Sequence, residues 1–197
     1  MTRDLLLALA AFAFVTSVTP GPNNLMLMAS GATFGFRRTV PHMLGVGLGF
    51  MAMTVLVGVG IAGLLAASPT LSLALKVASL GYMLWFAWKI LRAPEPGSTG
   101  AGSRPMTFLQ AAAFQWVNPK AWAMALTAVA AYAPDRSAGA IVLVAVVFGL
   151  INIPSVGSWT LLGQGMRGFL AGPLRRRVFN ATMAALLLLS LLPVLTH

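Results

Sequence analysis

The chain has 197 residues, 58% of them hydrophobic and only 8% charged, with a net charge of +10 and no cysteine. A soluble domain carries about 25% charged residues, so this composition describes an integral membrane protein and leaves no room for a soluble domain. Without cysteine, disulfides, thiol–disulfide chemistry and thiolate metal sites are excluded.

Six apolar runs follow in chain order. The first extends from Leu5 to about Gly31 and is broken by Thr19-Pro20-Gly21-Pro22-Asn23-Asn24. Arg3 ahead of it imitates a signal peptide. The run nevertheless continues past Pro22 through Leu25, Met26 and Leu27, with no small-x-small cleavage site. The second run, Val40 to Ala67, is dense in glycine. Its Gly45-x-x-x-Gly49 face suits close helix packing, against a helix of the same chain or against a second copy in a homodimer. Gly45-x-Gly47 lacks the preceding strand and following acid of a dinucleotide fingerprint. The third run is Leu71 to Leu91.

A stretch rich in Pro, Gly and Ser, Ala93 to Pro105, then divides the chain. It separates a three-helix set (1–92) from a second set (107–197), with 93–106 as linker. The fourth run, Thr107 to Ala131, is broken by Asn118-Pro119-Lys120; the fifth and sixth are Ala138 to Leu162 and Val178 to Leu195. The expected fold is an all-α integral membrane protein of six transmembrane helices. A three-helix unit starts and ends on opposite sides, so the two units are inverted repeats if they share a fold, with helices one and four broken.

Basic residues cluster in alternate loops: Arg37 and Arg38, then Lys89, Arg92 and Arg104, then Arg167 and Arg175 to Arg177. The positive-inside rule makes these loops cytoplasmic and puts both termini outside. Loop clustering accounts for the net charge, so no nucleic-acid partner is expected.

Each broken run is long enough to cross a bilayer of about 30 Å, so each break falls near mid-membrane. Backbone that leaves the helix at that depth is buried in protein or lines a wet cavity. Paired breaks in two halves point to a transporter's substrate site. In the first, Thr19 suits an N-cap and Pro20 the first position of a restarted helix. Gly21 and Pro22 disturb the preceding turn, and Asn23 and Asn24 supply amide groups at depth. In the second, Asn118 suits a cap, Pro119 a helix start, and Lys120 adds an amine. Free N–H groups at such helix starts favour an anionic group such as a carboxylate. The competing reading of the first break is a Pro kink whose Asn side chains bond neighbouring backbone.

A charged Lys at the bilayer centre costs at least ~2.5–3.5 kcal/mol. The acidic residues Asp4, Glu95 and Asp135 all map to segment ends or loops, away from Lys120. Lys120 therefore snorkels, sheds its proton, or meets an anionic substrate. Gln110, Gln115, Asn152 and Ser155 are equally well explained by bonds between helices. His42 adjoins a basic loop and reads as solvated. The tryptophans default to lipid contact and the methionines to packing.

The segments TPGPNNLMLMASGATFGFRR, LKVASLGYMLWFAWKILR and FLQAAAFQWVNPKAW, in this order around a Gly-rich second helix, resemble the LysE/RhtB type of amino-acid exporters. The resemblance covers nearly the whole chain, although from Ala138 onward it is one of hydropathy. It implies a six-helix fold and multi-pass residence in the bacterial inner membrane. It also implies efflux of amino acids or related small metabolites by proton antiport. Branches that export basic amino acids tend to place an acid after the Asn-Pro-Lys motif. Met124 stands there in this chain, which weighs against a cationic substrate.

The competing class is a membrane-embedded enzyme acting on a lipid or isoprenoid. Such enzymes use paired acids, a His cluster or a metal, and the apolar runs supply no such set. A metal-ion exporter lacks ligands for the same reason. ATP-driven transport lacks a phosphate-binding Gly-x-x-x-x-Gly-Lys loop. No cofactor is expected. The expected partners are the small-molecule solute, a coupling proton and membrane lipids.

Overall fold

A computed structural model describes residues 1–93 and 104–190, and among them the regular structure is entirely helical. Most of the expected linker, 94–103, and the end of the sixth run through Leu195 lie outside the described residues.

Helix α1, Arg3–Val18, opens on Thr2, whose hydroxyl accepts the Leu5 N–H at 3.3 Å. It leads into α2, Pro22–Phe34, at a bend of 54°. Gly35 then turns the chain into α3, Phe36–Gly58. The second apolar run is not the single helix its hydropathy suggests. Gly60 adopts φ 108°, which only glycine tolerates cheaply. That kink ends the span and leaves α4, Ile61–Ala66, as a short separate piece. Helix α5 is Pro69–Leu91, capped by Ser68.

The fourth run opens on a capping box in which Thr107 and Gln110 satisfy each other's backbone N–H groups. Gln110 is thus a cap residue. Helix α6, Phe108–Phe114, tightens into a 3-10 turn over Gln115–Val117 before α7, Pro119–Tyr132. Helix α8, Ala138–Gly165, and α9, Pro173–Leu189, complete the bundle. Helices α3, α5 and α8 are each long and apolar enough to cross a membrane, and α1 with α2 makes a fourth as one bent span.

Helix α8 is the hub and packs on α1, α2, α3 and α7. Helix α3 packs on α6: a Cβ on Gly45 would strike the Phe108 carbonyl, and one on Gly49 would lie 2.6 Å from Ala112 Cα. The glycine face is therefore used within the chain, and a homodimer would need another surface. Two apolar clusters result. One gathers α2, α5, α6 and α9 around Met26, Phe86 and Phe114. The other gathers α1, α3, α7 and α8 around Leu9, Phe50 and Phe148.

The basic corners converge at one end. Arg167 donates from Nε to the Ala32 carbonyl at 3.0 Å and from Nη2 to the Thr33 carbonyl at 2.8 Å. It thereby caps the C-terminal end of α2, where a cation also suits the helix dipole. Thr33 and Phe34 share a cavity with Lys89, Arg92 and Arg104. This end gathers the residues that the positive-inside rule would hold in the cytoplasm.

Candidate functional site

The two breaks meet. Lys120, from the second, donates through Nζ to the Thr19 carbonyl at 2.7 Å and the Thr19 hydroxyl at 3.0 Å. It also approaches the Pro20 carbonyl at 3.5 Å. Asn23 and Gln115 pair as amides, 2.8 Å in one direction and 3.2 Å in the other. Gln115 also donates to the Ala111 carbonyl at 2.8 Å. Asn23 thus bonds across the two breaks, whereas Asn24 bonds neighbouring backbone as a Pro kink would.

The last four carbonyls of a helix need partners from elsewhere. In α1 each has one. Val15 accepts the Thr19 N–H at 3.1 Å, and Thr16 accepts the Thr19 hydroxyl at 3.0 Å. Ser17 accepts Asn24 Nδ2 at 2.8 Å, and Val18 accepts the Trp159 indole at 3.1 Å. Asn24 bonds the Thr19 carbonyl as well, at 2.8 Å, so it clasps the two sides of the break.

Capping differs from the sequence expectation at the first break. Thr19 closes α1 rather than opening α2, Gly21 is the N-cap and Pro22 the first helical residue. The reason is that a residue before proline is pushed to extended backbone. Gly21 obeys, with φ −174° and ψ 177°, so the helix cannot start until Pro22. The absence of a side chain at Gly21 has a separate use: a Cβ there would lie 2.6 Å from Lys120 Cδ. At the second break Asn118 caps as expected, its side chain accepting the Lys120 N–H at 3.1 Å, with Pro119 at the first helical position. Trp122 donates to the Trp116 carbonyl at 2.8 Å and braces the turn.

Between the breaks lies a cavity of about 20 Å³, lined in part by Gly21, Asn23, Asn118, Lys120, Met124 and Asn152. A water needs about 10–15 Å³ by this measure, so in this conformation the cavity has room for a water but not for an amino acid. Asn152 and Ser17 were not distinguishable in the sequence from ordinary polar residues of packed helices. Asn152 Nδ2 donates to Ser17 Oγ at 3.1 Å, while its buried Oδ1 has no partner. Thr19 and Pro20 are exposed, whereas Gly21, Pro22, Asn24 and Asn118 are buried.

His42 contradicts its expectation. It is 1% exposed, not solvated, and neither ring nitrogen has a hydrogen-bond partner. Helix α3 already begins at Phe36, which carries His42 more than a turn inward.

Three helices long and apolar enough to cross a membrane, with a fourth bent span broken at the first proline motif, are the build of a polytopic membrane protein. The chain belongs to the LysE type translocator family, which matches residues 14–191. It is similar to the cysteine/O-acetylserine efflux proteins of Escherichia coli K12 and Shigella sonnei Ss046. Each is 32% identical over 167 residues, covering 83% of this chain and 85% of the relative. No solved structure matches. Family membership makes the chain a membrane transporter and not an enzyme, which removes the lipid-enzyme reading.

Proposed function

We propose that the chain exports a small neutral amino acid or a close relative across the bacterial inner membrane in exchange for protons. The solute site is the junction of the two helix breaks. The observation that supports this best is Lys120 bonded to Thr19 over the small cavity. A substrate carboxylate replaces the Thr19 oxygens as the partner of Nζ and meets the N–H groups at the starts of α2 and α7. The substrate ammonium turns to the oxygens so released and to Asn152 Oδ1. Among the described residues no carboxylate lines the cavity, so a second positive charge on the solute would go unpaired.

The six-helix inverted repeat supplies the motion. In this reading α1–α2, α3 and α5 form one half and α6–α7, α8 and α9 the other. Rocking one against the other opens the closed site alternately to each side.

Cys and O-acetylserine, which name the relatives' activity, are neutral zwitterions of suitable size and are the first solutes to test. Cells overproducing the protein should excrete one or both well above control cells, with lysine and arginine unchanged, as read by amino-acid analysis of the medium. Excretion of basic amino acids alone would contradict the neutral reading. No excretion of any amino acid would contradict export.

A further inference from the structure

A second cavity, about 380 Å³, lies at the basic end between α2, α3, α5 and the segment before α6, and shares no lining residue with the helix-break site. Small-molecule sites run about 300–1,000 Å³. Among the described residues its charged lining is cationic: Lys89, Arg92 and Arg104. Two of these rest on aromatic faces, Lys89 Nζ 4.8 Å from the Trp85 ring centre and Arg92 4.7 Å from that of Trp88. Among the described residues no carboxylate lines the cavity, and a cation resting on an aromatic face still attracts an anion. His42 lines the same cavity, buried, with both ring nitrogens unpartnered. Burying an unsatisfied polar group costs about 1–3 kcal/mol. An apolar side chain would fill that place without the penalty.

We propose that this cavity is a second binding site, separate from the helix breaks, for an oxyanion group carried on an apolar body. The Lys89 and Arg92 side chains supply the charge, the imidazole of His42 supplies a hydrogen bond, and Trp85 with Phe86 forms the apolar wall. The oxyanion is either the carboxylate of a small solute or the phosphate of an anionic lipid.

The test uses full-length protein carrying Lys120→Met, which silences the helix-break site, in phosphatidylcholine nanodiscs. One arm measures binding of radiolabelled octanoate, a carboxylate on an apolar body. The other compares quenching of tryptophan fluorescence by brominated phosphatidylglycerol with that by brominated phosphatidylcholine. The Lys89→Gln/Arg92→Gln double variant should weaken octanoate binding, or the preference for phosphatidylglycerol, by about tenfold or more. The arm that responds identifies the source. His42→Leu should weaken the same binding without lowering the melting temperature, an outcome that a purely structural imidazole would not give. Should the double variant fail to elute as folded protein, Arg92→Gln and His42→Leu are read singly. Variants that fold and leave both arms unchanged would overturn the proposal. Normal export by Lys120→Met would contradict the helix-break site but would not touch this result.

Discussion

Replacing Lys120 by Met should abolish export in proteoliposomes while leaving insertion, elution and melting close to those of the parent. Among the described residues Lys120 Nζ bonds uncharged oxygens, those of Thr19 and Pro20, so its removal breaks no ion pair with them. Losing the cation opposite a buried carboxylate costs about 2–5 kcal/mol, or at least ~30-fold in solute affinity. Lys120→Arg should also fail. The guanidinium is a planar fork, not the compact ammonium that the Thr19 and Pro20 oxygens hold. Normal transport by the Arg protein would reduce Lys120 to a fixed charge. Normal transport by the Met protein would make it a bystander.

The second large effect is structural. Helices α2 and α8 pack through glycines. A Cβ on Gly31 would lie 2.9 Å from the Thr160 carbonyl carbon, and one on Gly163 2.8 Å from that of Met28. Both obstacles are backbone, which cannot swing aside as a side chain can. Gly31→Leu and Gly163→Leu should each cost about 1–3 kcal/mol or more through overpacking. At roughly 2–4 °C per kcal/mol for a chain of this size, the melting temperature in detergent should fall by several degrees. Because α2 begins at the first break and α8 carries Asn152, export should fall with it. Variants that melt with the parent would show that the two helices do not approach this closely.

The breaks were legible because proline leaves few choices. Pro-x-Pro and Asn-Pro disfavour a continuous helix, and eight polar or proline residues amid apolar runs mark places where backbone must be satisfied by something else. The cap at the first break was misplaced by two residues, since either Pro20 or Pro22 can occupy a first helical turn and only the extended Gly21 between them decides. Gln115 and Asn152 were not legible. An amide in an apolar helix bonds a neighbouring helix just as well as a ligand, and only the pairing of Gln115 with Asn23 across the breaks separates the cases. Gly60 was hidden among other glycines, because hydropathy does not register a positive φ. His42 was misread through its closeness in sequence to Arg37 and Arg38, when the helix had already carried it into the protein.

The most direct test of the helix-break site is protection of a single cysteine by solute. The chain has no cysteine to remove, and Met124 lines the cavity between the breaks. In a Met124→Cys protein that retains export, alkylation by N-ethylmaleimide should slow roughly tenfold when a transported amino acid is present at ten times its Kd, as simple occupancy requires. A control cysteine at Leu109, which is 75% exposed on the surface of α6, should react at the same rate with and without solute. Equal alkylation of Met124→Cys with and without saturating solute would contradict a binding site at the meeting of the two breaks.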